Sequence, residues 1–300
     1  MSADPLDILL GYVRREHPRS VRGIEEARAV APERFDRLAR RMLSWLAAAR
    51  GEGGIEAAVD AFARYTAEVN LAQARYEADG RYQHRSFAEV YADHYSRRDR
   101  MDNYLWAVYL SNLLWAHHVE ISLFFEDRFL PRLSPGARLV EIAPGHGGWG
   151  VWALACVPES RMEGYDISPS SIAIARSLAQ AAGCDGRASY TEQDALDLAR
   201  ADGRSADAVI CCFLAEHLEQ PERLFGVIGH LLRPGGLAMV TAALTAAQVD
   251  HIYEFRCESE LVLLCENAGL RVLQALSAAP RRTLPGARFL PRSMALLALK

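Results

Sequence analysis

Apolar residues recur at three- and four-residue spacing from Ile24 to Arg50 and again from Ile55 to Ala78. That spacing gives a helix one apolar face, and Gly51-Glu52-Gly53-Gly54 divides the two runs. Phe87 to Tyr95 reads as a third helical stretch, ahead of a long one from about Asp102 to Phe129. The first turns of that long stretch, with Tyr104, Leu105, Trp106, Val108, Tyr109, Leu110 and Leu113, are apolar nearly all round. Such a helix is buried, or packs half its surface against a partner chain.

The pattern changes after Leu133-Ser134-Pro135-Gly136. Short apolar runs at 138–142, 161–167, 188–193, 206–213 and 237–242 alternate with helical ones at 148–156, 169–182 and 221–232. Strand, helix, strand, helix predicts a parallel sheet covered on both faces. Ser168 before Pro169 reads as an N-cap followed by proline at the first helical position, and Gly183 closes that helix. A helix near 259–268 and apolar runs at 270–275 and 293–299 suggest an antiparallel pair at the sheet edge. The expected architecture is an α/β, doubly wound, mostly parallel sheet over residues 133–300, preceded by an all-helical region over 1–132.

With 300 residues and a formal net charge of −4, the chain can bury a sizeable core and lacks the basic stripe of a nucleic-acid binder. The stretch Arg97-Arg98-Asp99-Arg100 reads first as a solvated helix end and only second as an anion site. Asp4 and Asp7 interrupt the first ten residues, so no signal peptide is expected. The apolar run 104–125 carries Asn112, His117, His118 and Glu120, which argues against a membrane span. The six cysteines contain no C-x-x-C pair, so reduced thiols and a cytoplasmic location are expected.

The most informative segment is Leu139-Val140-Glu141-Ile142-Ala143-Pro144-Gly145-His146-Gly147-Gly148-Trp149-Gly150. A buried strand runs into a glycine-rich turn, where the backbone can approach a ligand, and then into a helix N-terminus with free N–H groups. Gly145-x-Gly147-x-x-Gly150 also fits the dinucleotide fingerprint. Three neighbouring acids decide between the readings, Asp166 fitting either cofactor. Glu141 would repel a pyrophosphate but suits a cationic amino-acid moiety; Asp166, ending the next strand, can accept both ribose hydroxyls; Asp194 can accept from an adenine amino group.

From about Leu139 to Ala242 the chain resembles the class I S-adenosylmethionine-dependent methyltransferases, of the small-molecule type. The family's acidic-x-Gly-x-Gly-x-Gly loop matches Glu141-x-Ala143-x-Gly145-x-Gly147, with Ala143 replacing the first glycine and implying a slightly wider turn. Asp166 in Gly164-Tyr165-Asp166-Ile167-Ser168 matches the ribose acid, and Asp194 the adenine-side acid. Leu231-Leu232-Arg233-Pro234-Gly235-Gly236 resembles the turn before the fifth strand. The resemblance implies S-adenosylmethionine as cofactor, held by Glu141, Ala143, Gly145 and Gly147, by Asp166 and Ile167, and by Asp194, Ala195 and Phe213.

Ligands of such sheets bind outside the carboxyl ends of the strands. Phe213-Leu214-Ala215-Glu216-His217 should therefore border the cofactor, and 243–255, with Asp250, His251 and Tyr253, the methyl acceptor. His251 is the candidate general base, with Tyr253 beside it as a second catalytic candidate, although His251 could equally be a surface histidine. His117-His118 with Glu120 lack the spacing of a metal site, so no metal is expected and His118 is read as a core or lid residue. Tyr95, Tyr104, His118 and His217 are the candidates for covering or lining the acceptor pocket, while Tyr91, Trp106 and Tyr109 suit a helical core as well.

The expected function is methyl transfer to oxygen, nitrogen or carbon of a small molecule, a specialised metabolite by analogy. The rivals are a non-catalytic S-adenosylmethionine-binding or assembly protein, and a nicotinamide-dependent oxidoreductase. Neither nucleic acid nor membrane is an expected partner; a small-molecule acceptor is, and a homodimer is a further use for the helical half.

Overall fold

The computed structural model describes residues 3–95, 98–200, 205–283 and 286–300. Arg97 of the arginine-rich stretch lies outside the described residues, and Arg100 is exposed. The helical half comprises α1 (Pro5–Glu16), α2 (Val21–Arg28), α3 (Pro32–Arg50), α4 (Gly54–Asp79), the short α5 (Phe87–Val90), α6 (Arg98–Leu114) and α7 (Ala116–Phe124). π-helical turns at Tyr91–Tyr95 and Phe125–Phe129 follow α5 and α7.

Two of the expected long helices are broken. The run 24–50 divides at Ala31, because Pro32 opens α3 at a position where its missing N–H costs nothing. The run 102–129 divides at Trp115, whose backbone is extended (φ −105°, ψ 124°). The Trp115 ring stacks on Tyr65 of α4 at 5.5 Å, and the Ser122 hydroxyl donates to the carbonyl of Asn112 at 3.2 Å. Tertiary contacts thus replace what the helix gives up at the break.

The second half follows as β1 (Arg138–Ile142), α8 (Gly148–Cys156), β2 (Arg161–Asp166), α9 (Pro169–Ala181), β3 (Ala188–Glu192), β4 (Ala206–Cys212), α10 (Pro221–Leu231), β5 (Leu232–Leu244), α11 (Glu258–Asn267), β6 (Arg271–Ala278) and β7 (Arg292–Leu299). Sheet order is β3-β2-β1-β4-β5-β7-β6. The first five strands are parallel, and β7 pairs antiparallel with both β5 and β6. Strand order reverses between β1 and β4, which makes the carboxyl ends of those two strands the place for a ligand.

Side chains alternate across the sheet. Ala208 and Ile210 of β4 enter one core, with Leu139, Met239 and Leu297, and Val209 and Cys211 enter the other. The first core is covered by α8 and α9 and, beyond them, by the N-terminal helices; α3 and α6 lie on α9, and α7 lies on β6 and β7. The second core is closed by α10 and α11 through Leu224, Phe225, Ile228, Leu261 and Cys265. The expected cap of α9 is in place, with Ser168 accepting from the N–H of Ser171 at 3.3 Å. Among the described residues no helix is long and apolar enough to cross a membrane.

Candidate active site

A cavity of about 1020 Å³ lies at the carboxyl ends of β1, β2, β4 and β5, roofed by α4, α6 and the segment around Trp115. Glu141 reaches it from the end of β1 and is 2% exposed. Its Oε1 accepts the N–H of Gly150 at 3.1 Å, and its Oε2 is buried with no protein partner. Burial raises the carboxyl to about 8.

The turn after β1 keeps a glycine-like backbone. Ala143 adopts φ 49° and Gly145 φ 54°. Ala143, in place of a glycine, is accommodated as left-handed strain of about 1–2 kcal/mol. Ala143 and Gly145 line the cavity, whereas Gly147 lies beneath it. A Cβ on Gly147 would meet the Cβ of Ala175 at 2.8 Å, so this glycine lets α9 pack against the loop.

Asp166 ties the first loop to the second. Its Oδ2 accepts the N–H of Gly145 at 3.0 Å and its Oδ1 that of Ser168 at 2.9 Å. The Ser171 side chain and the Ile167 backbone add to the hydrogen bonding that favours its ionised form, and the carboxylate lines the cavity, where a ribose hydroxyl can reach it. Burial lifts this acid to about 6. Ile167, Asp194 and Ala195 line the same cavity, with Asp194 exposed and held by the N–H of Leu196 at 2.8 Å. Phe213, at the end of β4, also takes a left-handed φ of 54° and stacks on His118 at 5.0 Å. All the residues expected to hold the cofactor except Gly147 therefore border one space.

The other end of the cavity is aromatic and polar. Tyr95 and Tyr104 donate to Oδ2 of Asp250 at 3.1 and 2.8 Å, and Asp250 is fully buried. His217 Nδ1 lies 3.0 Å from the Asp250 carbonyl and 3.0 Å from the Tyr95 hydroxyl. His251 is not a surface histidine: it is 1% exposed, its ring stands edge-on to His217 at 4.9 Å, and its Nδ1 lies 2.6 Å from the Ala246 carbonyl. Burial pushes its imidazole down to about 3. Tyr253 does not line the cavity. It packs against Phe255 at 4.6 Å in the second core, because its backbone N–H is bound to the Glu216 carbonyl.

Of the other aromatic residues, Trp106 and Tyr109 are buried and Tyr91 is exposed. His118 is a buried neighbour of the cavity, with Nδ1 3.1 Å from Ser111 Oγ, and burial lowers its pKa strongly.

Several cavity residues were not singled out from the sequence. His146, between the loop glycines, is buried and its Nδ1 accepts from the N–H of Gly148 at 2.9 Å. Its place inside the glycine motif was the signal. Tyr65 donates to Gln248 at 2.6 Å, and Gln73 binds both Thr245 and Ala247, so α4 anchors the loop after β5. Nothing local in the sequence marks these partners. Glu216, noted only as a border residue, is fully buried with Oε1 accepting from Ala243 at 3.2 Å and Oε2 without a protein partner. Burial raises it to about 7.

The site fits S-adenosylmethionine. The buried, unpartnered Oε2 of Glu141 suits an ammonium, the Asp166 carboxylate on the cavity wall suits ribose hydroxyls, and Asp194 stands beyond them for the adenine.

A family model described as a methyltransferase domain matches residues 139–236. A demethylmenaquinone methyltransferase of Thermus thermophilus is 33% identical over 103 residues, which cover 34% of this chain and 46% of that protein. A ubiquinone biosynthesis O-methyltransferase of Sinorhizobium medicae is 32% identical over 130 residues, 42% of this chain and 49% of that one. The chain thus spans about half the length of these curated relatives. Among solved structures, an O-methyltransferase family protein from Burkholderia thailandensis shares the fold with a TM-score of 0.53 at 18% identity, covering 69% of this chain and 61% of that one. Geranyl diphosphate methyltransferase in complex with SAM does so with a TM-score of 0.51 at 15% identity, covering 64% and 89%. Residues 139–236 are thus similar to a methyltransferase domain, and the sheet that carries them has the fold of methyltransferases that use S-adenosylmethionine.

Proposed function

We propose that the chain transfers the methyl group of S-adenosylmethionine to an oxygen atom of a small, flat, hydroxylated molecule. The observation that carries this reading is the single cavity that joins the Glu141, Asp166 and Asp194 acids to a chamber walled by Tyr65, Tyr95, Tyr104 and Trp115. When bound, the cofactor supplies an electrophilic methyl group on a sulfonium. The chain's own contribution is to hold and align. Glu141 takes the ammonium end, Asp166 the ribose and Asp194 the adenine, while the helical half supplies aromatic walls that exclude water from the acceptor. His251, with its imidazole held at about 3, is too weakly basic to hold a proton at neutral pH and is not the base in this proposal.

Oxygen is favoured because the acceptor end presents hydrogen-bonding groups, and because two of the curated relatives are named O-methyltransferases of ubiquinone biosynthesis. A specialised metabolite as acceptor and a cytoplasmic setting are part of the proposal. The six free thiols suit that setting.

Calorimetry with S-adenosylhomocysteine and NADH, followed by turnover of isotopically methyl-labelled S-adenosylmethionine against a panel of phenols and catechols, tests this reading. Binding of S-adenosylhomocysteine alone, with label recovered in an ether linkage, is expected. NADH binding without S-adenosylhomocysteine binding would overturn the methyltransferase assignment. Cofactor binding with no labelled product from any acceptor would favour a binding or assembly protein.

A further inference from the structure

We propose that Glu216, His217 and His251 form a binding site for a divalent first-row transition-metal ion, open toward the acceptor end of the cavity. The three residues are buried, and one ligand atom from each lies within 4.8 Å of the others. All three line the cavity.

Hydrogen-bond partners fix which ring nitrogens carry protons. A carbonyl oxygen can only accept, so His251 Nδ1, 2.6 Å from the Ala246 carbonyl, carries its proton there. The same holds for His217 Nδ1, 3.0 Å from the Asp250 carbonyl; the nearby Tyr95 hydroxyl has Asp250 Oδ2 to donate to. Each imidazole is thus the tautomer whose Nε2 is a bare lone pair. Glu216 is fixed through Oε1 by the Ala243 N–H, and its Oε2 is buried with no hydrogen-bond partner in the protein.

Each imidazole thus offers a bare nitrogen and Glu216 an unpartnered oxygen to a cluster whose ligand atoms lie within 4.8 Å of one another, and neither imidazole brings a proton for the other. Acceptors repel at this range unless a cation stands among them. The surroundings are those of a ligand set, because metal-binding histidines hold their orientation by donating the other ring N–H to a carbonyl or carboxylate. Two nitrogens and one oxygen suit zinc, cobalt, iron(II) or nickel better than calcium or magnesium, which prefer all-oxygen shells. Three protein ligands leave a coordination position open. On the methyl-transfer reading, that position would hold an oxygen of the acceptor and so select hydroxylated molecules.

The metal experiment needs no acceptor. Untagged, chelator-treated full-length protein is titrated with Co2+ and followed by visible absorption. Bands saturating at one equivalent are expected in the wild type. Glu216→Gln and His251→Gln should each weaken Co2+ binding by at least about 100-fold, since even outer partners of metal ligands change affinity by about 10–100-fold. S-adenosylhomocysteine affinity, measured on the same samples, reports whether each variant is folded and tests the cofactor site separately from the metal. X-ray absorption of the Co2+-loaded wild type gives a second readout that needs no variant, and two imidazoles are expected in the shell. Absence of the bands in the wild type, bands unchanged in folded variants, or an all-oxygen shell would overturn the proposal, whatever the cofactor measurement gives.

Discussion

Gly150 has no room for a side chain. A Cβ there would stand 2.1 Å from Met162 Sδ and 2.3 Å from Glu141 Oε2. The thioether can move aside, but the carboxylate is anchored by the Gly150 N–H itself. Gly150→Ala should therefore displace Glu141 and weaken S-adenosylhomocysteine binding by at least about tenfold, some 1.4 kcal/mol. Gly186→Ala, where nothing lies within 4 Å, should leave it unchanged. Equal calorimetric affinities for the two variants would show that the ammonium does not depend on Glu141. The same carboxyl makes cofactor binding depend on pH. Burial raises it from 4.5 to about 8, so between those values the folded, cofactor-free protein holds a proton that the unfolded chain has lost. Its contribution to stability accordingly falls as pH rises through that window. An ammonium beside Oε2 favours the ionised form, so binding expels the proton. At about pH 7 S-adenosylhomocysteine should release about one proton, and its affinity should rise toward pH 8. Calorimetry in two buffers of different ionisation enthalpy measures the release, which Glu141→Gln should abolish. Binding enthalpies that agree between the two buffers would contradict the assignment.

At the scale of elements, periodicity sufficed where one neighbour decides the structure. The strands β1 to β5, the cap at Ser168 and the antiparallel β6–β7 pair all stand close to where their apolar runs place them. That Glu141, Asp166 and Asp194 border one cavity was equally legible, because each sits at or just past a strand end next to its own loop. The break at Pro32 carried a sequence signal, whereas the break at Trp115 did not: it depends on Tyr65, fifty positions earlier in the chain. Tyr253 was misplaced for a related reason. Along the loop after β5, His251 faces the cavity while Tyr253, half-buried, packs against the second core with its N–H bound to the Glu216 carbonyl. Helix α6 and the π-helical turn before it have a testable role here. Their Tyr104 and Tyr95 hydroxyls both donate to the buried Asp250. Replacing both by phenylalanine removes two donors to a desolvated carboxylate, each worth about 1–3 kcal/mol. The double variant should melt at lower temperature and turn over its acceptor more slowly, while S-adenosylhomocysteine affinity stays within about twofold by the scale of one-kcal effects. Unchanged melting and turnover would remove these tyrosines from the acceptor wall.

For the whole molecule, the division into a helical region, 1–132, and a sheet, 133–300, describes chain order rather than a gap in packing. One apolar core runs from Leu6 and Leu9 of α1 through Phe35 and Leu43 of α3 to Ala175 and Leu178 of α9, and on to Leu297 of β7. Leu43 is fully buried, and α3 lies directly on α9. Helices that share a core this closely cannot unfold without uncovering the face of α9 that supports the cofactor loop through Gly147 and Ala175. Heat should therefore unfold the chain in a single cooperative transition. S-adenosylhomocysteine at about 100 times its Kd should stabilise the folded state by about 2.7 kcal/mol and move that whole transition upward. Leu43→Ala, far in sequence from every cofactor residue, should lower it by about 2–5 kcal/mol through the cavity it leaves. Scanning calorimetry, with and without ligand, compares the three samples. Two resolved transitions, with the ligand moving only one and Leu43→Ala only the other, would show that the helical half and the sheet fold as independent units.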